Sequence, residues 1–158
     1  MIVLPGKAAQ LESTILFLNH QNVNMSEKTE FNPEQAHKYF AADCFNQAWG
    51  LIEKQDRTSE DDRQMVAMAQ ASLWHWTQRP DCTDTNLSIG YWQLSRIYAL
   101  LKEVHNAHIY ANCCLEKTSS DDPFCLGYAH EALARAEALA GNSTAAEEHL
   151  AEAQRHAE

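Results

Sequence analysis

LSRIYALLKEVHNAHIYANCC (Leu94–Cys114) and LARAEALAGNSTAAEEHLAEA (Leu133–Ala153) are two versions of one pattern, 39 positions apart. Leu94/Leu133, Arg96/Arg135, Ala99/Ala138, Leu100/Leu139 and Ala107/Ala146 are identical pairs. Ser95/Ala134 and Ala111/Leu150 are compatible in character. A self-similarity of this period marks a repeated supersecondary unit that buries its apolar face against a neighbouring copy. A weaker echo is FNQAWGLIEK (Phe45–Lys54), which sets Phe45 against Leu94, Trp49 against Tyr98 and Leu51 against Leu100.

Working outward from these copies, apolar residues recur at helical spacing in every segment after residue 32. Asn32 is a cap, Pro33 suits the first helical position, and Glu34 suits the positive helix end. The first helix then runs to about Lys54. Thr58 or Ser59 caps a second, which Pro80 ends. A third is expected over about Asn86–Lys102 and a fourth over about Asn106–Lys117. The fifth is capped by Asp121 or Asp122 and stopped by Gly141. The sixth opens at Ser143 or Thr144, where Thr144 and Glu147 have capping-box spacing. Residues 1–32 do not follow the pattern. They read as an N-terminal extension or linker, with a short helix from Lys7 to Asn19 and a polar stretch from Gln21. Met25 resembles a natural start. The helical domain is 33–158.

Composition agrees with six helices in three pairs. The 158 residues include only 5 Gly and 4 Pro, too few for the frequent turns of a β-sandwich. Net charge is −10, from 12 basic and 22 acidic residues with no basic cluster. Nucleic acid and anionic membranes are therefore not expected as partners, since both need a positive footprint. The apolar run Thr14–Leu18 is too short for a signal sequence or a membrane span. Five cysteines, with no CxxC, fit free thiols in a reducing compartment. These features point to a cytoplasmic protein.

The pattern resembles the tetratricopeptide-repeat superfamily. Tyr91, Leu94, Ser95, Tyr98, Ala107, Ala111 and Cys114 fit its aromatic, Leu-small and small-residue positions, as do Leu133, Ala134, Gly141, Ala146 and Ala153. Lys102 stands where that family has Gly, the closing Pro is absent, and the first pair diverges. The resemblance implies an all-α fold, a right-handed stack of three antiparallel helix hairpins forming a TPR-like α-α superhelix. It implies a protein or peptide partner held in a concave groove lined by the first helix of each pair. Gln47, Arg96 and Arg135 fall at equivalent groove positions. Trp92 and Glu131 lie one turn earlier, and Asn46 lies beside Gln47. Two arginines suit a carboxylate, which a guanidinium binds in bidentate fashion. They are equally suited to pairing with the chain's own acids. The divergent first pair also admits a homodimer.

Other chemistries find little footing. The chain has no GxGxxG, P-loop or GxSxG, so neither an enzyme nor a cofactor is expected. Cys44 and His37 are two turns apart, too far for a thiol and its base. The alternative is a metal-binding or thiol-bearing bundle. It rests on His105 and His108 with Cys113 and Cys114, and on Glu152 with His156. These sets lack the spacing of a recognised motif, so no metal site is assigned. Trp74 and Trp76 are two apart and cannot face the same way, which puts one of them, or His75, near solvent or the groove.

Overall fold

The computed structural model describes residues 31–157. The expected extension, with its Lys7–Asn19 helix and Met25, lies outside the described residues apart from the last two positions of its linker. Among the described residues there are six helices and no strand. They are α1 Pro33–Glu53, α2 Ser59–Thr77, α3 Asp84–Leu100, α4 Val104–Lys117, α5 Pro123–Ala140 and α6 Ser143–Ala157. The closest packing is within the consecutive pairs α1–α2, α3–α4 and α5–α6. Helices α2 and α3, α4 and α5, and α3 and α5 make most of the contacts between pairs.

Local capping explains most boundaries. Asn32 accepts from the Gln35 amide, and Asp122 accepts from the Cys125 amide. Thr58 and Asp61 close a reciprocal capping box at α2. A second box, from Thr83 and Asn86, starts α3 two residues before the expected Asn86. Helix α4 likewise starts two residues early, at Val104. The capping box expected at Thr144 does not define the start of α6, because Thr144 is already inside that helix. The Asn142 carbonyl accepts the first helical bond there, from Ala146.

The turns inside the second and third pairs share one backbone design. Lys102 has φ 62° and Gly141 has φ 83°, both left-handed. Their amides bond the carbonyls of Ala99 and Ala138, three residues back. The next amides, of Glu103 and Asn142, reach Tyr98 and Glu137, five residues back, each at 2.9 Å. This is the Schellman arrangement, formed twice at the 39-residue offset. The first pair does it differently. Lys54 is extended, and the Arg57 side chain reaches back to the carbonyls of Ile52 and Lys54 at 3.1 and 3.3 Å.

Small residues let the helices approach. Ala41, Ala48, Ala107, Ala111, Ala129, Ala132 and Ala136 are fully buried, with Met65, Leu94 and Ile97 filling the space between them. A β-carbon on Gly90 would lie 2.9 Å from Leu73 Cδ1, so the Leu73 side chain of α2 packs directly over that glycine of α3. Buried polar groups find partners on neighbouring helices. Ser72 donates to the Ala41 carbonyl, Ser95 to the Ala107 carbonyl, and Gln93 to the Phe45 carbonyl. Gln93, 1 % exposed, thereby ties α3 to α1.

Candidate functional site

The odd-numbered helices α1, α3 and α5 bring one set of side chains together. On α3, Trp92 and Arg96 are one turn apart; on α5, so are Glu131 and Arg135. Trp92 and Glu131 are equivalents in successive copies, and they touch: Trp92 Nε1 donates to Glu131 Oε2 at 3.0 Å. Arg135 Nη2 pairs with Glu131 Oε1. The Arg96 guanidinium lies 5.5 Å from the Trp49 ring centre and 6.0 Å from that of Trp92. Such cation–π contacts hold a cation without neutralising it.

Neither arginine is fully satisfied. Arg96 Nε and Arg135 Nη1 are both buried and have no hydrogen-bond partner among the described residues. Burial pulls the Arg135 proton affinity down, the nearby Arg96 pulls it further, and Glu131 opposes both. The guanidinium still carries its charge at physiological pH. An unpaired buried N–H costs about 1–3 kcal/mol, which an acceptor recovers once the guanidinium turns to meet it.

An aromatic row runs away from the arginines. Trp49–Trp92, Trp92–Tyr128 and Tyr128–Phe124 meet edge to face at 5.6, 5.1 and 4.9 Å. Beside them lies a cleft of about 250 Å³, lined also by Ile89, Ser88, Cys114 and Cys125. Phe124 is 69 % exposed, so the row opens to solvent. Burial raises both cleft thiols, Cys125 to about 11 with help from Asp122. They are protonated at neutral pH and are poor nucleophiles.

Of the six residues the sequence singles out, Trp92, Arg96, Glu131 and Arg135 meet here. Asn46 and Gln47 do not. Gln47 is exposed and donates to Asp43 on its own helix, while Asn46 borders a separate hollow with Trp76 and Ile89. Trp49 faces Arg96 in their place. Two residues along a helix rotate a side chain by about 200°, so a small misalignment of the divergent first copy changes the face. Phe124, Tyr128 and Ile89 were also missed. Their signal was present: Ile89, Trp92, Arg96 and Tyr128, Glu131, Arg135 are the same i, i+3, i+7 stripe shifted by 39.

Of the residues on which the metal alternative rests, His105, His108, Cys113 and Cys114 do not come together, whereas Glu152 and His156 do. His105 is exposed, His108 lies 3.7 Å from Glu137, and Cys114 bonds with Ser88. They do not converge. All five cysteines are unpaired. His37 contacts His75, Nδ1 to Nδ1 at 2.8 Å, and not Cys44. Burial, with the nearby His37, holds the His75 proton affinity below the usual histidine range. Trp74, at 54 %, is the more exposed of the two α2 tryptophans. Glu152 and His156 gather with His130 and His149 between α5 and α6. Among the described residues no helix is long and apolar enough to cross a membrane. Comparison of the chain with protein-family models, with curated proteins and with solved structures finds no match.

Proposed function

We propose that this chain is a non-enzymatic docking module, a TPR-like right-handed stack of three hairpins that holds a protein or peptide segment against α1, α3 and α5. The observation that carries this reading is the pair of unsatisfied guanidinium nitrogens, Arg96 Nε and Arg135 Nη1, at one end of an open aromatic row. A segment with a carboxylate at one end and an apolar side chain a few residues away matches both features. The cleft volume of about 250 Å³ suits side chains, being below the ~300–1,000 Å³ typical of small-molecule sites. Protonated thiols and permanently charged arginines offer no acid–base pair at neutral pH, which favours binding over catalysis. The register in which Trp92 bonds its equivalent Glu131, and the twice-formed Schellman turn, support the repeat stack. Five unpaired cysteines support a reducing, cytoplasmic setting.

The test is a displayed peptide library with free C-termini, selected on the full chain. Selected peptides are then titrated as free acids and as amides. The free acid is expected to bind at least tenfold tighter, and Arg96→Ala and Arg135→Ala to abolish that difference while the chain stays folded. Equal affinity for acid and amide would remove the carboxylate from the reading, and equal loss of thermal stability in both variants would make the arginines structural. Self-association is a separate reading, carried by the exposed Tyr39, Phe40 and Trp74 of the first pair. A monomer mass by light scattering that is independent of concentration rejects it.

A further inference from the structure

Helix α6 carries His149, Glu152 and His156 at i, i+3 and i+7, a single stripe. Helix α5 places His130 opposite that stripe. One ligand atom from each of His130, Glu152 and His156 lies within 4.8 Å of the other two. His130 Nδ1 and His149 Nδ1 are 3.2 Å apart, and the His130 and His156 rings stack at 5.9 Å with an interplanar angle of 9°. All four side chains are half-buried, so an ion can reach them from solvent.

We propose that the α5–α6 hairpin binds one zinc-class divalent ion through His130, His156 and Glu152, with His149 as the fourth ligand. Bonds of about 2.0–2.1 Å in a tetrahedral site put neighbouring ligand nitrogens about 3.4 Å apart. The 3.2 Å between His130 and His149 is already near that edge length. The Glu152 and His156 ligand atoms, within 4.8 Å of that of His130, and the His149 ring close onto the ion by side-chain rotation. Three imidazoles with one carboxylate favour zinc and its transition-metal neighbours over calcium or magnesium, which take oxygen ligands. Arg155 presently bonds one Glu152 oxygen, so the ion competes with a surface ion pair of modest strength.

The site also has a structural consequence. Ala153 is the one buried residue of α6. An ion bridging α5 and α6 therefore fastens a helix that packing holds through one stripe. Binding to the folded state alone raises stability by mass action.

The experiment uses untagged full-length chain, stripped with a chelator and titrated with zinc chloride by calorimetry. One ion per chain is expected, with Kd of about 10 µM or tighter. A rise in Tm should accompany binding. The double variant His130→Asn/His156→Asn should bind at least ~100-fold more weakly. His105→Asn, at an exposed position of α4, should bind as the native chain does. Glu152→Gln leaves the imidazoles in place and should weaken zinc by about tenfold, a check that survives if the double variant fails to fold. Cobalt in place of zinc should show visible bands of a tetrahedral site without thiolate charge transfer. Zinc bound equally by native and Glu152→Gln chains, no binding at about 100 µM zinc, or a thiolate band would each overturn the proposal.

Discussion

The first helix pair and the last two solve the same problem with different chemistry. All three must reverse the chain and bury the carbonyls left at the end of a helix. After α3 and α5 the backbone does this itself, through a left-handed residue and two amide bonds. After α1 a side chain does it, because Arg57 reaches the Ile52 and Lys54 carbonyls and pairs with Asp62. A backbone turn keeps a fixed length and leaves a repeat visible at constant offset. In the first pair the turn is longer and so are the helices, 21 and 19 residues against 17 and 14 in the second pair, so the 39-residue offset fades before residue 90.

The largest effect should come from the residues aligned across the copies. Leu94 is 0 % exposed and Leu133 4 %, whereas Phe45, their partner in the alignment, is half-buried beside Trp49. Leu94→Ala should destabilise by about 2–5 kcal/mol, through lost transfer energy and a cavity. Leu133→Ala should fall in the same range and Phe45→Ala below both. Urea unfolding of the three variants checks the order. A cost for Phe45→Ala equal to that of Leu94→Ala would make the first pair a full copy, contrary to the difference in burial.

How much was legible follows the same division. Asn32, Thr58, Asp122 and Gly141 were readable because a cap is a local event, set within four residues. The Thr83–Asn86 box was readable in principle, but TDTN follows Pro80 and reads as loop. Trp92, Arg96, Glu131 and Arg135 were found because the 39-residue offset transfers a face from one helix to the next. Trp49 was not, because its copy has a different spacing. The His130 cluster depends on how α6 is rotated against α5. The stripe of His149, Glu152 and His156 can be read from sequence; its meeting with His130 cannot.

The next effect tests the side-chain plug. Arg57→Ala removes two bonds to carbonyls and one ion pair, and the side chain is 20 % exposed. Hydrogen bonds from charged donors contribute about 1.5–3 kcal/mol each at most, and partial solvation trims this, so a loss of about 1–2 kcal/mol is expected. Hydrogen exchange should show the protection lost at the end of α1 and the start of α2, with α5–α6 unchanged. Uniform loss across the chain would mean that the plug supports more than its own turn. In the third pair, Gly141→Ala puts a β-carbon on a residue with φ 83°, where nothing lies within 4 Å. The cost is then conformational, about 1–2 kcal/mol of strain less about 0.4–1 kcal/mol from the stiffer unfolded chain, so Tm should fall by the equivalent of about 0.5–1 kcal/mol.

The smallest effect is the most discriminating, because it should have the opposite sign. Lys102 holds φ 62°, the same backbone region as Gly141, with an exposed side chain that makes no hydrogen bond or ion pair among the described residues. A non-glycine residue there carries about 1–2 kcal/mol of strain. Replacing it with Gly removes that strain but adds freedom to the unfolded chain, which costs about 0.4–1 kcal/mol. Lys102→Gly should therefore stabilise the protein by about 0.5–1 kcal/mol, while Gly141→Lys should destabilise it by a similar or larger amount. Chemical denaturation of the two variants, with unchanged slopes, makes the comparison. Opposite signs mean that the turns are one design with a better and a worse residue in it. A loss of stability in Lys102→Gly would mean that the lysine side chain contributes a contact that outweighs its strain, and the two turns would then share geometry without sharing energetics.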